Sequence, residues 1–99
     1  MTKTAEVKTI RKIRVENMES SNGNTVPNQF IVRTDDGTYF QSYSTIIAFK
    51  GFDGRIYLDE SSWDYSTTTG KYRNIFLREN KKETMQGIKD GRYILTNLN

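Results

Sequence analysis

Residues Gln29 to Ser44 read QFIVRTDDGTYFQSYS, two β-rich runs on either side of Asp35-Asp36-Gly37. Asp-Gly accepts the positive φ angles that a tight hairpin turn demands, so the segment predicts an antiparallel pair of strands. A lone hairpin is marginal in water. The surrounding chain must therefore supply further strands or a helix to cover at least one of its faces.

Upstream, VKTIRKIRVEN from Val7 to Asn17 alternates in part, with Ile13 and Val15 on one face and Arg14 and Glu16 on the other, which suits a half-exposed strand. The polar stretch ESSNGNTVPN holds Asn-Gly and the only proline, Pro27, and predicts a loop or wide hairpin connection, with the strand resuming at Gln29. Downstream, the second run continues through Thr45 to Phe49, a length that predicts one strand with a bend or bulge near Tyr43 to Thr45. Gly51-Phe52-Asp53-Gly54 then turns the chain into a short strand, RIYLD, with Ile56 and Leu58 on one side and Arg55 and Tyr57 on the other.

From Thr67 or Thr68 the period becomes helical, through Tyr72, Ile75, Phe76 and Glu79. Trp63, Ile75 and Phe76 are expected in one core. Asn80-Lys81-Lys82-Glu83 has the form of a capping box and begins a second short helix, in which Met85 and Ile88 face inward and Gly91 sits at the C-terminal cap. RYILTNL, Arg92 to Leu98, closes the chain as a strand. The expected fold class is α+β: a twisted, mostly antiparallel sheet of about five strands with two short helices packed on one face, in the order β-β-β-β-α-α-β.

One core is all that 99 residues can enclose, so residues 1–99 form a single domain. Apolar residues are only 34 % and charged residues 27 %, yet the 12 % aromatic share supplies enough area, at roughly 25 cal/mol per Å² buried, for a folded core. There is no cysteine, which removes disulfides, thiolate nucleophiles and thiolate metal sites, and no histidine, which removes the usual base near neutral pH and the commonest metal ligand. No catalytic residue, metal site or cofactor is expected. No apolar run approaches the roughly 18 residues of a membrane span, and MTKTAEVKTIRK lacks a signal-peptide core, which predicts an intracellular protein without membrane contact.

The net charge is +3, and the surplus is concentrated where Lys8, Arg11, Lys12 and Arg14 crowd the first strand. Such a cluster is a solvated edge-strand face or an anion-binding surface. A second basic site is offered by WDYSTTTGKYR, Trp63 to Arg73. Its hydroxyls are natural helix caps, with Ser66 or Thr68 as the cap and Trp63 and Tyr65 packing the incoming chain. Lys71 and Arg73, however, lie in the first turns, where the helix dipole favours acids. Ser66, Thr67, Thr68, Lys71 and Arg73 therefore make a candidate anion site, with Asp64 as the competing internal partner. It is not a P-loop, since no G-x-x-x-x-G-K-S/T is present.

Other clusters read more plainly. Asp35-Asp36-Gly37 is a turn rather than a metal loop, and Asp59, Glu60 and Asp64 are solvated or capping carboxylates rather than an acid–base pair. Tyr39, Tyr43, Phe49 and Tyr57 could stack nucleobases on an open sheet face. The alternation instead places Tyr39, Tyr43, Ile47 and Phe49 together on an inward face.

The segments QSYSTIIA (Gln41 to Ala48), WDYSTTTGKYRNIFL (Trp63 to Leu77) and ETMQGIKDGRY (Glu83 to Tyr93) resemble a family of small uncharacterised proteins carried by phages and prophages of Gram-positive bacteria. The resemblance implies expression in the bacterial cytoplasm, in a size class that includes host-takeover and anti-defence proteins. It carries no activity and no site residues. The expected function is thus that of a non-enzymatic phage accessory protein that binds and inhibits a host macromolecule, such as a defence nuclease, in the manner of an anti-CRISPR. The alternative is a small basic nucleic-acid-binding protein using the N-terminal cations and the Lys71/Arg73 helix start.

Overall fold

A computed structural model describes residues 12–99. Its strands are β1 (Arg14–Glu19), β2 (Thr25–Thr34), β3 (Gly37–Ser42), β4 (Thr45–Gly51), β5 (Ile56–Asp59) and β6 (Tyr93–Thr96); helices α1 (Thr67–Leu77) and α2 (Lys81–Asp90) lie between β5 and β6. The sheet runs β1-β2-β3-β4-β5-β6 in space, antiparallel throughout except for the parallel β5–β6 pair. A parallel neighbour cannot be reached by a tight turn, so the two helices form the crossover. The class is α+β as expected, but the described residues form six strands instead of about five, in the order β-β-β-β-β-α-α-β.

The extra strand comes from a turn that its sequence conceals. Tyr43 and Ser44 form a two-residue hairpin loop between the paired residues Ser42 and Thr45, so β3 and β4 are separate strands rather than one bent strand. Such loops need positive φ, normally supplied by Gly, Asn or Asp; here Tyr43 adopts φ 56° and is 54 % exposed. Its N–H donates to the Asn28 carbonyl at 2.6 Å, which anchors the turn to β2. A bulge does occur, one step later: Gln41 pairs with Ile46 but Phe40 with Ala48. The additional residue lets Ile47 and Ala48 both point into the core, where neither is exposed.

Residues 7–11 of the expected first strand lie outside the described residues, and β1 extends two residues further than expected, to Glu19. The connection to β2 is also shorter, because β2 already begins at Thr25. Its proline is accommodated by a wide irregularity, in which β1 advances from Asn17 to Glu19 while β2 passes from Phe30 back to Thr25. Pro27 lies within this bulged stretch, beside Asn28 at φ 67°, where the missing N–H breaks no regular ladder.

Asp35 and Asp36 close the β2–β3 hairpin, and the Thr34 hydroxyl accepts from Asp36 N–H at 3.1 Å while donating to the Gly37 carbonyl at 3.0 Å. Gly37 is required for a different reason than a left-handed turn. Its φ is 149°, and a Cβ there would collide with the Lys50 carbonyl and come within 2.7 Å of the Phe49 ring.

The core lies on one face of the sheet. Phe40, Ile47, Ala48 and Leu58 meet Tyr72, Phe76 and Leu77 of α1 and Tyr93 of β6, with the Phe40 and Phe76 rings 5.8 Å apart. Ile75 is exposed rather than in this core, and Arg73 occupies the inward position. Trp63 packs at the core's edge as expected, whereas Tyr65 is exposed. Asn80 and Glu83 form the reciprocal capping box that starts α2. Within α2 the buried positions are Thr84 and Gly87; Ile88 packs against the core, but Met85 is exposed. Gly87 lets the helix approach β6, since a Cβ there would meet Tyr93 at 2.8 Å.

Replacing Gly37 with valine should lower stability by roughly 2 kcal/mol or more, through strain at its φ and the clash with β4. Tyr43→Gly should be neutral or slightly stabilising, because it relieves a positive φ. Urea unfolding of both variants checks the pair; an unchanged midpoint for Gly37→Val would contradict the close approach.

Candidate functional site

At the start of α1 the cap falls on Ser66, whose Oγ accepts from Thr69 N–H at 3.1 Å and donates to Thr69 Oγ1 at 3.1 Å. Thr69 Oγ1 lies 2.9 Å from Ser42 Oγ. A chain of hydroxyls, buried at Ser42 and Thr69, thus ties the helix start to the end of β3. Thr67, Thr68 and Lys71 are exposed, and the Lys71 ammonium reaches over the Tyr72 ring at 5.5 Å.

Arg73 is only 1 % exposed. Its Nη1 donates to the Trp63 carbonyl at 2.8 Å and to Asp64 Oδ1 at 3.2 Å, its Nη2 donates to Asn74 Oδ1 at 3.0 Å, and its guanidinium lies 5.2 Å from the Trp63 ring centroid. Asp64 is shared, because its Oδ2 also pairs with Lys81 of α2 at 2.7 Å. The Lys81 contact, helped by Arg73 and opposed by partial burial, holds the Asp64 carboxyl below its ordinary pKa. Of the five residues in the expected anion site, Ser66 and Arg73 are committed to internal partners. The five do border one open depression of about 610 Å³ with Asp64 and Lys81, except Thr68, which faces away toward the Tyr43–Ser44 turn.

The N-terminal cations are divided by the limit of the described residues. Lys8 and Arg11 lie outside it; Lys12 and Arg14 are exposed at the start of β1. Arg14 stands opposite Arg33, and Arg33 in turn pairs with Glu16 at 2.9 Å.

The third feature is the face of the sheet away from the helices. Cross-strand pairing aligns Val15, Val32, Tyr39, Phe49, Tyr57 and Ile94 in a single row across all six strands. The Tyr39 and Phe49 rings stack at 4.2 Å between centroids, and Phe49 and Tyr57 at 6.0 Å. The adjacent row, Asn17, Phe30, Gln41 and Ile46, is uncharged too. At the rims Val15 is 61 % and Ile94 39 % exposed, and Phe52 on the β4–β5 turn is 74 % exposed. The C-terminal tail is tied down at one end of this sheet: Leu98 N–H donates to Asp59 at 2.9 Å, and the Asn99 side chain brackets the Ile46 backbone. Asp59 is therefore buried and structural rather than solvated; burial pushes its pKa up, but hydrogen bonds from Leu98, Ser62, Asn99 and Ser61 together hold it low. Beyond that tail, no second layer of described residues covers the row.

A family model described as a family of unknown function (DUF8033) matches residues 13–92, from the threshold of β1 to the residue after the α2 cap. The chain belongs to that family. Comparison with curated proteins and with solved structures gave no match. Membership in DUF8033 agrees with the resemblance drawn from the sequence at the level of a domain without assigned activity. The match contains five of the six positions in the aromatic row, Ile94 being beyond it.

The DUF8033 face departs from the inward stripe expected of Tyr39, Tyr43, Ile47 and Phe49. Only Ile47 is in the core; Tyr43 is in a turn, and Tyr39 and Phe49 belong to the opposite face. A usable signal was present. Phe30-Ile31-Val32, Ile46 to Phe49, Ile56-Tyr57-Leu58 and Tyr93-Ile94-Leu95 are continuous apolar runs, the pattern of strands apolar on both faces.

The two cations at the helix start should separate cleanly on substitution. Arg73→Gln should cost about 3 kcal/mol by leaving buried partners unsatisfied, whereas Lys71→Gln should stay within about 0.5 kcal/mol of wild type. Asp64→Asn should destabilise near neutral pH. Because its folded pKa is depressed, the Asp64 contribution is present above the ordinary carboxylate pKa of about 4 and is lost as pH falls through the folded value. Melting curves of wild type and Asp64→Asn should converge across that acid window; a constant gap would show that its charge has no part in holding α1 and α2 together.

Proposed function

We propose that this protein is a non-enzymatic binding protein that docks a protein partner on the sheet face that no described helix covers. The observation that carries the reading is the uncharged row from Val15 to Ile94, with the stacked rings of Tyr39, Phe49 and Tyr57 at its centre. Aromatic anchors in a charge-poor centre with a polar rim are the composition of protein interfaces. On this reading the host-directed role suggested by the phage resemblance, inhibition of a macromolecule such as a defence nuclease, is exercised by covering a surface on the target.

Three stacked rings on a sheet also invite comparison with single-strand nucleic-acid platforms, which pair such rings with a basic groove. Here the groove beside the rings is bordered by Asp36 and Asp53 instead. Among the described residues, no lysine or arginine lines that groove to follow a phosphate backbone, so the protein reading is favoured.

The test is affinity purification of the tagged chain from a bacterial host, with co-purifying protein and nucleic acid both identified. A stoichiometric protein should be lost from a Val15→Lys/Ile94→Lys variant and retained by Lys71→Gln. Retention of the protein by the double variant, or recovery of nucleic acid that dissociates steeply with salt, would overturn the docking-face reading.

A further inference from the structure

We propose that the occupant of this face is a second copy of the chain, related by a two-fold axis parallel to the strands and lying between β3 and β4. The inference rests on the docking-face reading and names its partner, the second copy taking the place on this face that the host target holds in that reading. An isologous interface must be self-complementary, since each copy presents the same patch to the other. The row meets that condition when read from its two ends. Rotation about the axis sets Val15 over Ile94, the small Val32 over the large Tyr57, and Tyr39 over Phe49. The alternative axis, along the row, would stack Tyr57 on Tyr57 and Val32 on Val32, crowding one side and leaving a void on the other, which close packing disfavours.

The groove of about 420 Å³ beside Tyr57, walled by Phe52 and Leu98, falls under β1 and β2 of the second copy. Five strand spacings of about 4.8 Å make the face roughly 24 Å wide, and its two side-chain rows make it on the order of 15 to 20 Å long. Pairing two such faces buries on the order of 1,000 Å², the size at which specific interfaces begin. Aligned sheets pack about 10 Å apart, the thickness of a sandwich core. The result is a reversible dimer whose halves are each two-layered and whose centre is a sandwich.

The experiment uses purified protein over a concentration series from about 1 to about 200 µM, the range in which an interface of this size is expected to associate. Sedimentation equilibrium should show the mass doubling along the series. Val15→Lys/Ile94→Lys, placed at exposed rim positions so that folding survives, should weaken association at least tenfold with an unchanged melting curve. Because the chain has no cysteine, Val32→Cys and Tyr57→Cys can be made singly and mixed. A short bis-maleimide should cross-link one variant to the other far more than either to itself. A monomer throughout the series overturns the second copy as occupant, while loss of a host protein from the double variant would still uphold the docking face. A dimer indifferent to the double substitution, or cross-links confined within each variant, also overturns the arrangement.

Discussion

The parallel pairing of β5 with β6 is the constraint on which the architecture turns. Every other neighbouring pair is antiparallel and is joined by a short connection, so five strands form a meander. The last junction cannot be made that way, because parallel neighbours require the chain to return across the sheet. Both helices are consumed in this return, and both settle on the face that carries Phe40, Ile47, Ala48 and Leu58. Among the described residues, the opposite face receives only the short C-terminal tail. An apolar second face is thus a consequence of topology combined with strands that are apolar in both phases.

The helical return is itself held by a buried cation. Arg73 stands at an inward position of α1 and gathers the Trp63 carbonyl, Asp64 and Asn74, while Asp64 also reaches Lys81 at the start of α2. A guanidinium suits this position because its planar fork can satisfy several acceptors at once. The basic character of the helix start therefore has an internal explanation for Arg73 and a solvent-facing one for Lys71. The hydroxyl run behaves likewise: Ser66 caps, Thr69 links the helix to Ser42, and Thr67 and Thr68 remain at the surface.

The proposed binding surface accordingly lies on the sheet and not at the helix start. The row from Val15 to Ile94 is uncharged, continuous over six strands and centred on stacked rings, and its two halves match under reversal. It gives the DUF8033 fold a surface suited to protein contact and, in the arrangement proposed here, to contact with itself.

Local chemistry alone determined much of this molecule. The Asp35-Asp36-Gly37 hairpin, the Ser66 cap, the Asn80 capping box, the Gly91 C-cap and the α+β class follow from side chains acting on their own backbone within a few residues, which any reading of the sequence can follow. The Tyr43–Ser44 turn did not follow, because neither residue advertises positive φ; the Asn28 carbonyl of another strand holds it. Nor could Arg73 be assigned inward and Ile75 outward from helical spacing, since hydrophobicity favours the reverse, and only the acceptors converging from the preceding loop make burial of the cation favourable. Above all, periodicity reports that a strand is apolar on a face but not which face a helix will cover. That choice belongs to the β5–β6 crossover, a contact between segments far apart in sequence, and so the half-buried aromatic row on the face away from the helices is a property of the tertiary structure.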